Sequence, residues 1–230
     1  LLFLASFGCN SSSDSQHDDL IAQLKEVTDQ VIATTHVPGV VALVADHARG
    51  IDWLYAAGLS DIPNNIPSNV FYTFRIGSNT KTLVVTVLLQ LVAEGLVSLD
   101  DTLARFFPEY PGANRITVAM LCNMTSGIFN YSNTDAFAQT MVNQPDKVWS
   151  PAELVDIGFS RAAYFAPGMG WTYSNTNTII LGMIIEKAGG KTLEREIQER
   201  IAVPLGLENT FLPEGPDYEG ETIHGYDGVD

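Results

Sequence analysis

Apolar residues recur at Leu20, Ile21, Leu24, Val27, Val31 and Ile32. This spacing of three and four predicts an amphipathic helix over Leu20–Thr35, with Asp18 or Asp19 as its cap and Pro38-Gly39 as its stop. The pattern then changes. Val40–Ala45 and Ile51–Ala57 are short, β-prone runs joined by a turn containing Arg49-Gly50, which predicts an antiparallel hairpin. Asp61–Asn69 is rich in Pro, Asn and Ser and reads as a loop. Thr80–Glu94 is the strongest helical signal. Its polar residues Thr82, Thr86 and Gln90 form one narrow stripe and the rest is nearly all Leu, Val and Ala, so the helix is buried on most sides. Gly95 ends it. Shorter helices are predicted at Thr102–Phe107, Val118–Met124, Pro151–Phe159, Thr178–Lys187 and Leu193–Ile201. Pro151 is placed for a first helical turn and Gly189-Gly190 for a helix end. No internal repeat organises the chain. A helix, a hairpin and then many helices define an α+β order rather than alternating βαβ units.

The totals narrow the function. The chain has 230 residues, 46% hydrophobic and 17% charged, with a net charge of −15. This suits a soluble domain with a real core, and the acidity argues against nucleic acid as a partner. With two cysteines, Cys9 and Cys122, there is no disulfide framework and no zinc cluster. Cys122 lies in an apolar stretch and is expected to be buried and inert. His17, His36, His47 and His224 show no metal-ligand spacing. No cofactor is called for.

The first nine residues, Leu1 to Cys9, read as the end of a signal peptide, with the small Gly8 before Cys9 resembling a bacterial lipoprotein cleavage site. Ser6 stands where such a site usually has Leu. No initiating Met or basic start is present, and the front of the chain is expected to be missing. Residues 10–18 read as a flexible Ser- and Asp-rich tether and 19–230 as one domain. The expectation is an exported protein of the periplasm or cell envelope, held at the membrane by lipid on Cys9; a plain secretory signal or a disordered tail is the alternative.

The candidate chemistry begins at Phe74-Arg75-Ile76-Gly77-Ser78-Asn79-Thr80-Lys81. Ser78 opens the buried helix and Lys81 lies three residues on, so both side chains share one face. A serine hydroxyl needs a neighbouring base to become a nucleophile, a lysine amine can serve when its pKa is lowered, and a helix N-terminus favours an oxyanion. Taken alone, these residues fit better an N-cap at Ser78 or Asn79 with Lys81 as a solvated charge, since a Ser-x-x-Lys match is common. The second element is Tyr173-Ser174-Asn175, whose phenol and amide share one side of an extended segment. Asn175 or Asn177 could instead cap the helix predicted from Thr178.

Together these segments resemble the superfamily of serine β-lactamases and penicillin-binding proteins, which includes class C β-lactamases, D-Ala-D-Ala carboxypeptidases and related esterases. The resemblance runs from about Val37 to Tyr226 and takes in Ala166–Thr172, Met124-Thr125-Ser126-Gly127-Ile128 and Pro204-Leu205-Gly206-Leu207. It implies a β-lactamase/transpeptidase-like fold, an antiparallel sheet flanked by helices with an all-helical lobe. It implies Ser78 as nucleophile, Lys81 and Tyr173 as proton-transfer groups and Asn175 as a substrate-amide ligand. Met124 stands where the superfamily often has His, and Ser126-Gly127 is read as structural.

The implied activity is hydrolysis through an acyl-enzyme of a small-molecule or peptidoglycan-peptide substrate, D-Ala-D-Ala carboxypeptidase-like first, with β-lactamase or esterase next. A penicillin-recognising module without turnover is the competing class. The superfamily's third element, Lys-Thr-Gly or His-x-Gly on a strand beside the serine, is not found. The C-terminal strands are therefore expected beyond Asp230, and residues 1–230 alone are expected to aggregate readily and to be weak or inactive.

Overall fold

A computed structural model describes residues 11–213, 215 and 221–226, with side chains from His17 onward. Cys9 and the expected lipidation signal around it lie outside the described residues. Those described fall in two compact units, one within Leu1–Arg75 and Glu219–Asp230, the other within Ile76–Tyr218.

The first unit is a long helix on a small sheet. Helix α1 (Ser11–Thr35) starts well before the predicted Leu20 and runs through residues read as a tether. Its inward stripe is Leu20, Ile21, Leu24, Thr28 and Ile32, whereas Val27 is 59% exposed. Thr28 takes the inner place because its hydroxyl donates to the Leu24 carbonyl at 2.8 Å, so burial leaves no polar group unpaired.

Strands β1 (Gly39–Asp46) and β2 (Ile51–Asp61) form the predicted hairpin, in antiparallel register from Gly39 opposite Gly58 to Asp46 opposite Ile51. The turn is closed by the Arg49 amide on the Asp46 carbonyl at 3.0 Å. A two-residue strand β3 (Ile66–Pro67), inside the predicted loop, pairs with β2 across a register shift between Leu59 and Asp61. α1 is fixed to β2 by the Tyr55 hydroxyl, which donates to Asp29 at 2.8 Å.

The second unit is helical. Helices α2 (Thr80–Ala93), α3 (Val118–Cys122), α4 (Asp135–Asn143), α5 (Pro151–Phe159), α6 (Asn175–Gly189) and α7 (Leu193–Ile197) follow in order. Val84, Val87, Leu88 and Leu91 of α2 and Ile180, Leu181, Ile184 and Ile185 of α6 form the centre of its core. Each such side chain contributes about 1.5–3 kcal/mol by leaving water. The predicted stripe holds at Thr82 and Thr86, which are exposed.

Pro151 opens α5 as predicted, behind a Ser150/Glu153 capping box. Several expectations are corrected. Thr102–Phe107 yields only one 3₁₀ turn, Leu103–Arg105. The helix predicted to Ile201 leaves α geometry at Gln198 for a π turn, Gln198–Ala202. Helix α4, capped by the Thr134 hydroxyl on the Phe137 amide, was not predicted, because its apolar residues span too few turns to show a period. Among the described residues no helix is long and apolar enough to cross a membrane.

Candidate active site

Ser78, Lys81, Tyr173 and Asn175 all belong to the second unit. Ser78 is not within α2 but in the 3₁₀ turn Gly77–Asn79 that leads into it. Gly77 enters this turn at φ +52°, with open space where a Cβ would be, so glycine is needed there for its backbone and not for room. α2 then lifts Lys81 over the turn, and its Nζ donates to Ser78 Oγ at 3.0 Å.

Tyr173 comes from the loop before α6. Its hydroxyl lies 2.6 Å from Ser78 Oγ, and Lys81 Nζ stands 4.8 Å from its ring centroid. One serine oxygen thus touches both an amine and a phenol, and Tyr173 remains 39% exposed, so the group opens to solvent. Burial pushes the Tyr173 phenol up, but hydrogen bonds with Lys81 and Ser78 and the Lys81 charge outweigh it. The net result is a pKa below the usual phenol value of 10.0.

The loop carrying Tyr173 is zipped to the Met124–Ile128 segment. The Thr172 amide bonds to the Met124 carbonyl at 3.2 Å, Gly168 to Thr125 at 2.9 Å and Tyr164 to Gly127 at 2.8 Å. A Cβ on Gly127 would lie 2.1 Å from the Phe165 carbonyl oxygen, so the two segments can approach only with glycine there. Ser126 is buried, and its hydroxyl donates to Asn177 Oδ1 at 2.7 Å while accepting the Ile128 amide at 3.1 Å. These contacts brace the segment.

Neither Asn175 nor Asn177 caps α6. The cap is Ser174, without a side-chain bond, and Asn175 is the first helical residue. Asn175 instead bonds to a segment that sequence reasoning passed over. Its Nδ2 donates to Ser132 Oγ at 3.0 Å and its backbone amide to Asn130 Oδ1 at 3.0 Å. The Tyr131 amide donates to Thr176 Oγ1 at 3.1 Å, and the Tyr131 phenol is pushed up by burial and then by Tyr173. Residues 130–132 therefore flank the site. A signal was available, since Tyr-Ser-Asn-Thr occurs twice, at 131–134 and 173–176.

A serine with an amine and a phenol on its oxygen, in the turn that leads into a buried helix, marks the penicillin-recognising serine hydrolase class. The sequence profile of the Beta-lactamase family matches residues 18–229, and the chain belongs to that family. Among curated relatives, it is 31% identical over 201 residues to esterase EstB of Burkholderia gladioli, covering 83% of this chain and 51% of that protein. It is 31% identical over 196 residues to a D-aminopeptidase of Brucella anthropi, covering 82% and 36%. A solved structure of D-amino acid amidase from Ochrobactrum anthropi SV3, complexed with L-phenylalanine amide, matches with a TM-score of 0.76. The identity is 30%, over 92% of this chain and 60% of that one. The chain thus spans about half or less of the length of these two curated relatives. Its fold is the β-lactamase/transpeptidase-like fold expected from the sequence, with helices and a small antiparallel sheet.

Proposed function

We propose that the protein of which this chain is part hydrolyses amides or peptides of D-amino acids through an acyl-enzyme on Ser78. The observation that carries this is the single serine oxygen held 2.6 Å from a phenol and 3.0 Å from an amine. Lys81 donates to Ser78 Oγ, which leaves the serine proton directed at Tyr173. As the Oγ–carbon bond forms, that proton passes to the ionised phenol and the carbonyl electrons move to oxygen. When the tetrahedral centre collapses, the leaving amine takes the proton from Tyr173. Water then repeats the sequence on the ester and frees Ser78. Asn175 contacts the substrate.

The D-amino acid preference rests on the names of the D-aminopeptidase and D-amino acid amidase relatives, and D-Ala-D-Ala carboxypeptidase action falls within the same chemistry. Ester hydrolysis is the second reading, favoured by the likeness to EstB. We further propose export and lipid attachment at Cys9 from the Leu1–Cys9 sequence; membrane partition lost in Cys9→Ser supports it, and a soluble wild-type protein cleaved elsewhere overturns it.

The test is intact-mass measurement after incubation with a labelled penicillin or an activated ester. An adduct on Ser78, absent in Ser78→Ala and slowed at least about a hundredfold in Lys81→Ala, is expected. No adduct, or unchanged acylation in Lys81→Ala, overturns the reading. A panel of D-amino acid amide, D-Ala-D-Ala peptide, cephalosporin and short-chain ester then ranks the substrates.

A further inference from the structure

Helix α3 ends with Asn123 as its cap, and the Thr125 amide closes back on the Met120 carbonyl at 2.9 Å. Such an ending places one residue in the left-handed region, usually a glycine. Here that residue is Met124, at φ +65°. A bulky side chain is strained there and keeps the conformation only where its surroundings hold it. Two contacts hold Met124. Its carbonyl accepts the Thr172 amide at 3.2 Å. Its sulfur accepts Asn177 Nδ2 at 3.3 Å. The orientation of Asn177 follows from its other end. Ser126 Oγ accepts the Ile128 amide at 3.1 Å and gives its own proton to Asn177 at 2.7 Å. The oxygen of Asn177 therefore faces Ser126, and its nitrogen faces the sulfur. Asn177 is 1% exposed, so its amide relies on protein partners rather than water. Thr172 is the residue before Tyr173, and Asn177 lies in the first turn of the helix after it. Met124 thus grips the chain on both sides of Tyr173.

We infer that Met124 is a positioning residue: by accepting from Asn177, its thioether clasps the two chain segments that flank Tyr173 and so holds the Tyr173 hydroxyl at Ser78 Oγ. This rests on the proposed acyl-enzyme chemistry at Ser78, in which that hydroxyl takes the serine proton. The sulfur acts here as a hydrogen-bond acceptor and not only as apolar filling. Removing the acceptor strands a buried N–H and frees both flanking segments to shift, which moves the phenol from the serine.

The test compares Met124→Leu with Met124→Gln in the whole protein, because packing and positioning predict opposite orders. Leucine is apolar and close to methionine in volume, so a packing role is kept by Met124→Leu and lost by Met124→Gln. A positioning role needs an acceptor, which Met124→Gln supplies and Met124→Leu does not. The readout is the rate at which Ser78 displaces fluoride from a fluorophosphonate probe, measured across pH. Met124→Leu should slow labelling by about ten- to a hundredfold, the scale of a displaced catalytic group, while Met124→Gln stays within about threefold of the wild type. Lys81 and Ser78 hold the Tyr173 phenol below its usual value. A phenol drawn away from them titrates higher, so the rising limb of the rate should move to higher pH in Met124→Leu and stay in place in Met124→Gln. The titratable groups that act on Tyr173, Lys81 and Tyr131, are the same in both variants. The inference is overturned by wild-type labelling or an unmoved limb in Met124→Leu, by Met124→Gln labelling no faster than Met124→Leu, or by loss of cooperative unfolding in either variant. In each of these cases, labelling of wild-type Ser78 leaves the hydrolase reading standing. Failure of the probe to label wild-type Ser78 overturns both.

Discussion

The helical unit that carries the site is stapled by one arginine, and removing it should be costly in a specific way. Glu196 on α7 is 1% exposed. One carboxylate oxygen accepts Arg200 Nε, and the other has no hydrogen-bond partner among the described residues. The remaining guanidinium nitrogens of Arg200 grip Glu94, the residue that ends α2, one of them at 3.1 Å. Arg200→Met keeps much of the apolar stem but deletes every donor, leaving a buried carboxylate with no countercharge. Breaking a buried pair in this way costs about 3–5 kcal/mol. Replacing both partners removes the stranded charge, so Arg200→Met with Glu196→Leu should regain most of that loss. Glu94 sits in solvent, where pairing contributes little, so Glu94→Gln should change stability far less than Arg200→Met. Urea unfolding followed by the fluorescence of Trp149 and Trp171 reads these as midpoint shifts at constant slope. A loss below about 1 kcal/mol for Arg200→Met, against the 3–5 kcal/mol expected, would refute the argument. So would a double variant no more stable than the single one.

Three further outcomes follow from the same contacts. The Tyr173 phenol is held below its usual value, and the proposed mechanism requires it ionised to accept the serine proton. Thus kcat/KM should rise with pH through that lowered pKa and level off above it, and Lys81→Ala should move the rise to higher pH; a limb that stays in place contradicts the coupling. Ser174 is fully buried and its hydroxyl has no partner among the described residues. Ser174→Ala should therefore leave stability unchanged or raise it by up to about 1 kcal/mol, read as an unchanged or higher Tm, and a clear drop would reveal a partner for the hydroxyl. Burial pushes the Cys122 thiol up to about 11. Its alkylation near pH 8, resolved by peptide mass analysis, should be roughly a hundredfold slower than that of a free thiol, because the thiolate is the reacting form; labelling at the free-thiol rate would contradict the burial.

What the sequence made legible was local. The core face of α2, Val84, Val87, Leu88 and Leu91, follows from helical period alone, and Ser78 with Lys81 follows from a spacing of three. The pairing of Ser78 with Tyr173, 95 positions apart, has no local signature and was reached through resemblance to a family. Asn130 and Ser132 were missed because their part depends on which hydrogen bonds the folded chain makes between distant segments. On α1, the apolar spacing counts Val27 in the inner stripe, yet Val27 is exposed and Thr28 is buried. Thr28 can take the inner place because a threonine can satisfy its hydroxyl on its own backbone.

The dependence of Tyr173 on packing has a consequence for when the chemistry exists at all. Any chain that forms one turn of helix brings Ser78 and Lys81 together, yet Tyr173 reaches them only once α6 lies against α2 and the Met124–Ile128 segment has locked the loop before it. A nascent or thermally loosened chain therefore carries the serine without the means to use it. On the proposed chemistry, reactivity is a property of the packed unit, so a chain still being made, or one being degraded, would not acylate itself on whatever carbonyl it meets. The yield of the proposed Ser78 adduct in a preparation would accordingly count the molecules whose helices have closed.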